Sequence, residues 1–284
     1  MSRTLTRSLV ISLFCVTAPH RAWAQGSERL LAVERAYDEQ QAQDVRIVGG
    51  KPAKIRDNPW QVALLSARVP VNTQAQFCGG SIVAPRWVVT AAHCVDRGTL
   101  PSQVAILVGT QSLQSGGRRV EATTIIVNEN WTRQTHDFDI ALVEVGADLG
   151  GTAIAWDATG SEHPLALPIR ITGWGRTSMS ASAGTRILQG VSVPYVTRDV
   201  CNGPASYDGA VTDNMICAGL QEGGLDACQG DSGGPASADV GGRRVLVGIV
   251  SWGQGCALRD KYGILTRVAG FAAWAAEKTN GAVK

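Results

Sequence analysis

The amino-acid sequence predicts an all-β fold of many short antiparallel strands followed by a single C-terminal helix. Three observations carry that expectation. From Ile47 onward the apolar residues come in short continuous or alternating runs such as QVALL, RWVVT, VAILV, DIALVEV and RRVLVGIVSW. The 33 glycines and 11 prolines punctuate these runs, so each is of strand length and bounded by residues that turn a chain. Only VAGFAAWAAEK, from Val268 to Lys278, has a helical period, with Val268, Phe271 and Trp274 spaced for one face. No short-period repeat is present, and Gly150-Gly151 marks a seam between two β units.

The amino end has a different character. Arg3 and Arg7 flank the start, Ser8 to Ala18 is a short apolar run, and Ala22-Trp23-Ala24 is a small-x-small site, so residues 1–24 read as a secretory signal peptide cleaved near Gln25. The apolar run falls short of the roughly 20 residues that span a bilayer, and no later segment is long and apolar enough. Cys15 follows bulky Phe14 rather than the small residue of a lipoprotein signal, and leaves with the leader. Residues 25–46 are polar and helix-prone, with Leu30, Leu31, Val33 and Tyr37 as the few large apolar residues, and read as a propeptide. The remaining 47–284 form the folded part.

The chain of 284 residues is 44% hydrophobic, enough for a packed core, and its formal net charge of +2 with no clustered lysine and arginine gives no nucleic-acid footprint. Of seven cysteines, Cys15 goes with the leader, leaving Cys78, Cys94, Cys201, Cys217, Cys228 and Cys256. An even count in an exported chain suggests three disulfides, with the connectivity open from the count alone. The absence of C-x-x-C and H-E-x-x-H argues against a metal site.

The chemistry-bearing residues sit in short motifs. ACQGDSGGPA surrounds Ser232, and its G-D-S-G-G core also fits the nucleophile elbow of an α/β-hydrolase. In that fold the histidine follows the serine, whereas no histidine occurs after His163, so that reading fails. The order His93 in VVTAAHC, Asp139 in DFDIALVEV and Ser232 in GDSGGP remains. Together with IVGG, CGGSIV, TGWG, NMICAG and SWGQGC, these motifs resemble the chymotrypsin-like serine proteases, the trypsin branch in particular, over essentially all of Ile47 to Lys284.

The resemblance implies two packed antiparallel six-stranded β-barrels, about 47–155 and about 156–284, with a C-terminal α-helix and the active site in the cleft between them. It implies a His93–Asp139–Ser232 triad. His93 takes the serine proton and returns it to the leaving amine, and Asp139 orients the imidazole with a hydrogen bond from Ser251. Asp137, the competing carboxylate, is expected on an exposed loop. The amides of Gly230 and Ser232 match the oxyanion donors. Asp226 matches the base of a pocket for basic side chains, with Gly253 and Gly263 as open walls. Ala227 beside it lacks a hydroxyl to solvate a lysine ammonium, whereas a guanidinium can pair bidentately, so arginine is preferred over lysine.

By the same resemblance, cleavage after Arg46 frees the Ile47 amine to pair with Asp231, making the chain a zymogen. A buried unpaired charge costs roughly 3–5 kcal/mol, which is expected to keep Asp231 from settling before cleavage. Since residue 46 is itself arginine, another copy of the protein is a candidate activator. The disulfides implied are Cys78–Cys94, Cys201–Cys217 and Cys228–Cys256, and several other bridges of the family are missing.

Residues 109–121, GTQSLQSGGRRVE, lack the paired glutamates with which animal trypsins bind calcium, and no cofactor or metal is expected. Tyr262 resembles members whose pocket loop binds sodium, and equally reads as a plain loop tyrosine. Leu265 replaces a tyrosine common near the pocket. Arg118-Arg119 and Arg243-Arg244 read as polyanion contacts or as solvated surface pairs. Asn130-Trp131-Thr132 is a glycosylation sequon. The expected product is a secreted enzyme, extracellular or periplasmic. It is expected to be a monomer acting on protein or peptide substrates, open to protein protease inhibitors and with no nucleic-acid or membrane partner. The competing class is a non-catalytic binding protein on the same scaffold, which usually loses a triad residue; a serine esterase is disfavoured by Asp226.

Overall fold

The computed structural model describes residues 49–157, 163–176, 181 and 183–283. The signal peptide, the propeptide, Arg46 and Ile47 lie outside the described residues.

After a short strand β1 (Lys51–Pro52), the chain forms β2 (Gln61–Ser66), helix α1 (Asn72–Ala75), β3 (Gln76–Ala84), β4 (Trp87–Thr90), helix α2 (Ala92–Val95), β5 (Val104–Val108), β6 (Arg118–Val127) and β7 (Ala141–Val145). Strands β2 to β7 close into a six-stranded antiparallel barrel in the order β2-β3-β4-β7-β6-β5. The continuous apolar runs in β2 and β5 have a structural cause. Val62, Leu64, Val104, Ile106 and Val108 point into the barrel, and the alternating Ala63, Leu65, Ala105 and Leu107 pack outside it, against Trp174 and Leu188. Both faces of these strands are therefore covered, and neither has a place for polar residues.

The chain then crosses through Gly150 and Gly151 to β8 (Ala155–Trp156), β9 (Pro168–Gly173), β10 (Gln189–Val196), helix α3 (Arg198–Cys201), β11 (Met215–Ala218), β12 (Pro235–Val240), β13 (Arg243–Trp252) and β14 (Gly263–Arg267). Strands β9 to β14 close a second barrel in the order β9-β10-β11-β14-β13-β12, with β12 returning to β9. The fold is thus the expected pair of six-stranded barrels, carrying two extra short strands. One of them, β8, lies parallel to β13. The other, β1, pairs with Gln189 and Gly190 of β10, so the amino-terminal segment assigned by sequence to the first barrel is bonded to the second.

The C-terminal helix starts later than its sequence pattern suggests. Val268–Phe271 is a 3-10 turn, and the α-helix α4 covers Ala272–Lys278. Val268 and Phe271 are both buried at i and i+3, the spacing that a three-residue turn brings onto one side. A helix of seven residues has little stability alone. Its anchor is the cluster in which Phe271 and Ala275 meet Val89 and Leu142 of the first barrel and Leu246 and Ile249 of the second. Burying Phe271 contributes about 2 kcal/mol or more.

Candidate active site

His93 lies in α2 and Asp139 in the loop entering β7, and two contacts join them. The His93 backbone N–H donates to Asp139 Oδ1 at 2.9 Å, and ring Nδ1 is 2.8 Å from Oδ2. With Nδ1 donating, Nε2 is left as a base. Asp139 is buried, and the second barrel holds it too. Ser251 Oγ donates to Oδ2 at 2.5 Å, and Thr266 Oγ1 donates to the Asp139 backbone carbonyl at 2.7 Å. The carboxylate thus locks histidine position, ring orientation and tautomer across the barrel junction. Ser251 is where the resemblance put it, whereas Thr266 was not anticipated, since a threonine within a strand carries no sequence signal for such a contact.

Ser232 follows a tight turn on the second barrel, and its carbonyl accepts from Gly79 N–H at 2.8 Å. Gly79 adjoins Cys78, which is bonded to Cys94, the neighbour of His93, so this contact ties the serine turn to the histidine segment. The Ser232 hydroxyl makes no hydrogen bond among the described residues. The amides of Gly230 and Ser232 also have no acceptor among the described residues.

Their freedom is built in. The Gln229 carbonyl accepts from Arg176 N–H at 2.6 Å, and across a trans peptide the Gly230 N–H points the opposite way. Gln76 Nε2 donates to the Gly230 carbonyl at 2.9 Å and fixes the next peptide. Gly230 has φ +98°, and a Cβ there would stand 2.9 Å from Gly175 Cα, so both conformation and space demand glycine. Gln76 is a site residue that sequence reasoning missed, because its contact is to backbone far along the chain.

Asp226 lines a cavity of about 320 Å³ whose lining also includes Ser232, Ala227, Gly253, Gly263 and Leu265. The Cys228–Cys256 bridge joins two residues of that lining. The third bridge, Cys201–Cys217, fastens α3 to β11. Asp226 is buried and accepts from Ala257 N–H at 3.0 Å, and burial pushes its carboxyl up to about 6. A Cβ on Gly263 would fall 2.7 Å from Asp226 Oδ1, so glycine keeps the carboxylate accessible.

Asp231 is the residue expected to pair with a freed Ile47 amine, and Ile47 lies outside the described residues. In the uncleaved chain it is already fully buried, accepting from Gly175 N–H at 2.8 Å and Cys228 N–H at 3.0 Å. Burial pushes its carboxyl up to about 7, with the Asp226 charge adding a smaller push. Among the described residues two backbone donors meet the carboxyl group, and its raised pKa favours a bound proton up to about 7.

A stability prediction follows from that proton. Between the ordinary value of 3.8 and about 7, the folded chain holds a proton that the unfolded chain has lost, so stability falls as pH rises through this window. Asp226 acts in the same direction up to about 6. The unfolding temperature of the uncleaved protein is expected to drop by roughly 10–20 °C between pH 4 and pH 7.5, with a shallower slope in Asp231→Asn. Equal slopes in the two proteins would refute the assignment.

Asp137 is not on a free loop. It is half-buried, and its Oδ1 accepts from Thr212 Oγ1 at 2.8 Å and Asn214 Nδ2 at 2.9 Å on the second barrel. It thereby straps down a turn in which His136 and Phe138 both have φ +55°. His136 stacks on Trp252 with ring centroids 5.5 Å apart. Tyr262 is buried, and its backbone carbonyl accepts from Tyr207 Oη at 2.6 Å. Arg118 donates to the Asp148 carbonyl at 2.6 Å, and Arg244 pairs with Asp239 at 2.8 Å. Asn130 is exposed. The cluster Cys78, His93 and Cys94 has metal-like proximity, but its two sulfurs are bonded to each other and offer no thiolate.

Two closed barrels with a histidine–carboxylate pair, a serine turn and free amides at their junction define a serine hydrolase of the double-barrel class. The family model described as Trypsin matches residues 47–275. The chain is also 43% identical over 235 residues to Trypsin Blo t 3 of Blomia tropicalis, covering 80% of this chain and 84% of that protein. The chain belongs to the trypsin family of chymotrypsin-like serine proteases, and it is a trypsin-like serine endopeptidase, a hydrolase of proteins or peptides.

Proposed function

We propose that this protein is exported as a precursor and, once cleaved after Arg46, hydrolyses peptide bonds that follow arginine in preference to lysine. The observation that supports the specificity is Asp226, a buried carboxylate lining the same cavity as Ser232. A guanidinium entering there restores the charge balance that burial disfavours and can take two parallel hydrogen bonds. Ala227 offers no hydroxyl to a lysine ammonium, which supports the order arginine over lysine.

In the reaction, Ser232 Oγ attacks the scissile carbonyl as His93 Nε2 takes its proton, and the Gly230 and Ser232 amides receive the oxyanion. Imidazolium, stabilised by Asp139, then protonates the departing amine and leaves an acyl-enzyme. Water enters with His93 again as base, the acid product leaves, and Ser232 recovers its proton. His93, Asp139 and Ser232 are all present, so nothing in the chain favours a binding protein that has lost catalysis.

Cleavage supplies the Ile47 ammonium as the cation that Asp231 lacks among the described residues. Pairing converts a protonated carboxyl into an ion pair and fixes the turn that carries Gly230 and Ser232. Residues 1–24 are the export signal, and 25–46 the propeptide.

The test is hydrolysis of matched arginine, lysine and phenylalanine peptides by the purified precursor before and after defined cleavage at Arg46. Activity is expected to rise by at least about 100-fold on cleavage and to follow arginine over lysine, with phenylalanine far below. An inactive protein with a confirmed Ile47 terminus would overturn the proposal, and phenylalanine preference would overturn the role of Asp226.

A further inference from the structure

Beside the Asp226 cavity lies a second one of about 520 Å³, and Gln229 borders both. Gln76, Phe77 and Gly230 line it on one side, Arg176 and Arg186 on the other. Its place relative to the scissile bond follows from the proton path, on the catalytic reading proposed above. The leaving amine must receive its proton from His93 Nε2, which lies 3.8 Å from Cys94 Sγ. Cys94 is bridged to Cys78, and Phe77, the residue before Cys78, lines this cavity. The segment that departs with the amine therefore runs into it.

The cavity has one sign of charge. Arg176 and Arg186 are the ionisable residues of its lining among those described, and neither guanidinium has an ion pair or hydrogen bond there. The backbone behind the arginines is held in place. Arg176 N–H donates to the Gln229 carbonyl, and the Arg186 carbonyl accepts from Leu113 N–H at 2.8 Å. The opposite wall, with Thr73 and Gln74, is fixed by Arg119, whose guanidinium donates to the Val69 and Pro70 carbonyls and to Asn72 Oδ1 at 2.8 to 2.9 Å. Arg119 is thus a strut of this wall rather than a polyanion contact.

We propose that this cavity selects substrates carrying aspartate or glutamate among the first three residues after the scissile bond. The inference rests on the endopeptidase reading and adds to it a substrate class: a basic side chain on the acyl side, followed by an acidic one on the leaving side. Two guanidinium groups without a partner among the described residues attract a carboxylate and repel lysine, and the Gln229 amide adds a neutral donor. The chain's own junction, Arg46 followed by Ile47-Val48-Gly49-Gly50-Lys51, has no acidic residue there and is a poor match, which disfavours activation by another copy.

Quenched peptides with arginine before the scissile bond and glutamate, alanine or lysine at each of the next three positions test the inference. An arginyl anilide with nothing amino-acid-like on the leaving side serves as reference. The cleaved enzyme is expected to show a kcat/KM ratio of about tenfold for glutamate over lysine at one or more positions, shrinking as salt is raised. The ratio should approach about twofold in Arg176→Gln and Arg186→Gln, each read against its own alanine peptide so that general losses cancel. A flat series from an enzyme active on the anilide, or an unchanged ratio in both variants, would overturn the cavity assignment while leaving the protease reading intact. Failure on peptides and anilide alike would overturn both.

Discussion

Replacing Ser232 with alanine in the cleaved protein is expected to lower kcat by about 10⁶-fold, the scale seen when the triad nucleophile is removed from a serine protease of another fold. KM should move little. The Oγ is the only atom removed, it makes no hydrogen bond among the described residues, and the Asp226 cavity and the Gly230 amide remain. The variant should still bind an arginine peptide and should unfold at the wild-type temperature within about 1 °C, since deleting a partly exposed hydroxyl changes stability little. Burst and steady-state kinetics on an activated ester check it. A variant that keeps more than about one hundredth of the activity would exclude Ser232 as nucleophile. In Asp139→Asn the backbone contact to His93 can persist but the tautomer is wrong, and about 10⁴-fold is expected, a magnitude carried over from the family rather than read from the distances.

Replacing Asp226 with serine should lower kcat/KM for arginine substrates by about 10² to 10³-fold, the cost of leaving a buried cation without its partner. The same variant should treat phenylalanine substrates no worse than the wild type does, so the selectivity collapses rather than the catalysis. A pH effect accompanies it. Burial holds Asp226 at about 6 in the unliganded enzyme, so the carboxylate that a guanidinium needs is present above that pH and lost below it. Binding of a small guanidinium ligand, which bypasses catalysis, should therefore weaken about tenfold per pH unit well below 6, and the ligand should pull the carboxyl back down. Calorimetry at pH 5 and pH 8 would show proton release on binding at the lower pH only. No difference between the two would mean that the carboxylate is already charged when empty.

Much of this was legible in the sequence for a local reason. His93, Asp139 and Ser232 each sit inside a stretch whose neighbours are also constrained, by a disulfide at Cys94, a buried strand at Ala141 and a glycine turn at Gly230 and Gly233. Likewise, VAILV could be read as a strand because both of its faces are buried. What escaped were contacts made across the two barrels. Asp137 looked like a loop charge because Thr212 and Asn214, which hold it, are far along the chain. Gln76 carried no signal for the same reason. The pairing of Lys51-Pro52 with β10 leaves no pattern in two residues, and Val268 with Phe271 fits a 3-10 turn as well as an α-helix. The state of Asp231 depends on how deeply it is buried, which its motif does not encode.

The small strand β1 gives the proposed activation its kinetics. Lys51 pairs with Gly190, whose other neighbour across the sheet is Thr172, and β9 leads from there to Gly175, a donor to Asp231. The anchor is thus about two strand spacings, roughly 10 Å, from that part of the second barrel. Only four residues, Ile47 to Gly50, lie between a freed amine and this anchor, a leash of at most about 14 Å. An amine confined to a sphere of that radius sits at an effective concentration on the order of 0.1 M, however dilute the protein. Once the bond after Arg46 is cut, docking of the new terminus is a local search rather than an encounter, and the rate of maturation is set by the cut alone.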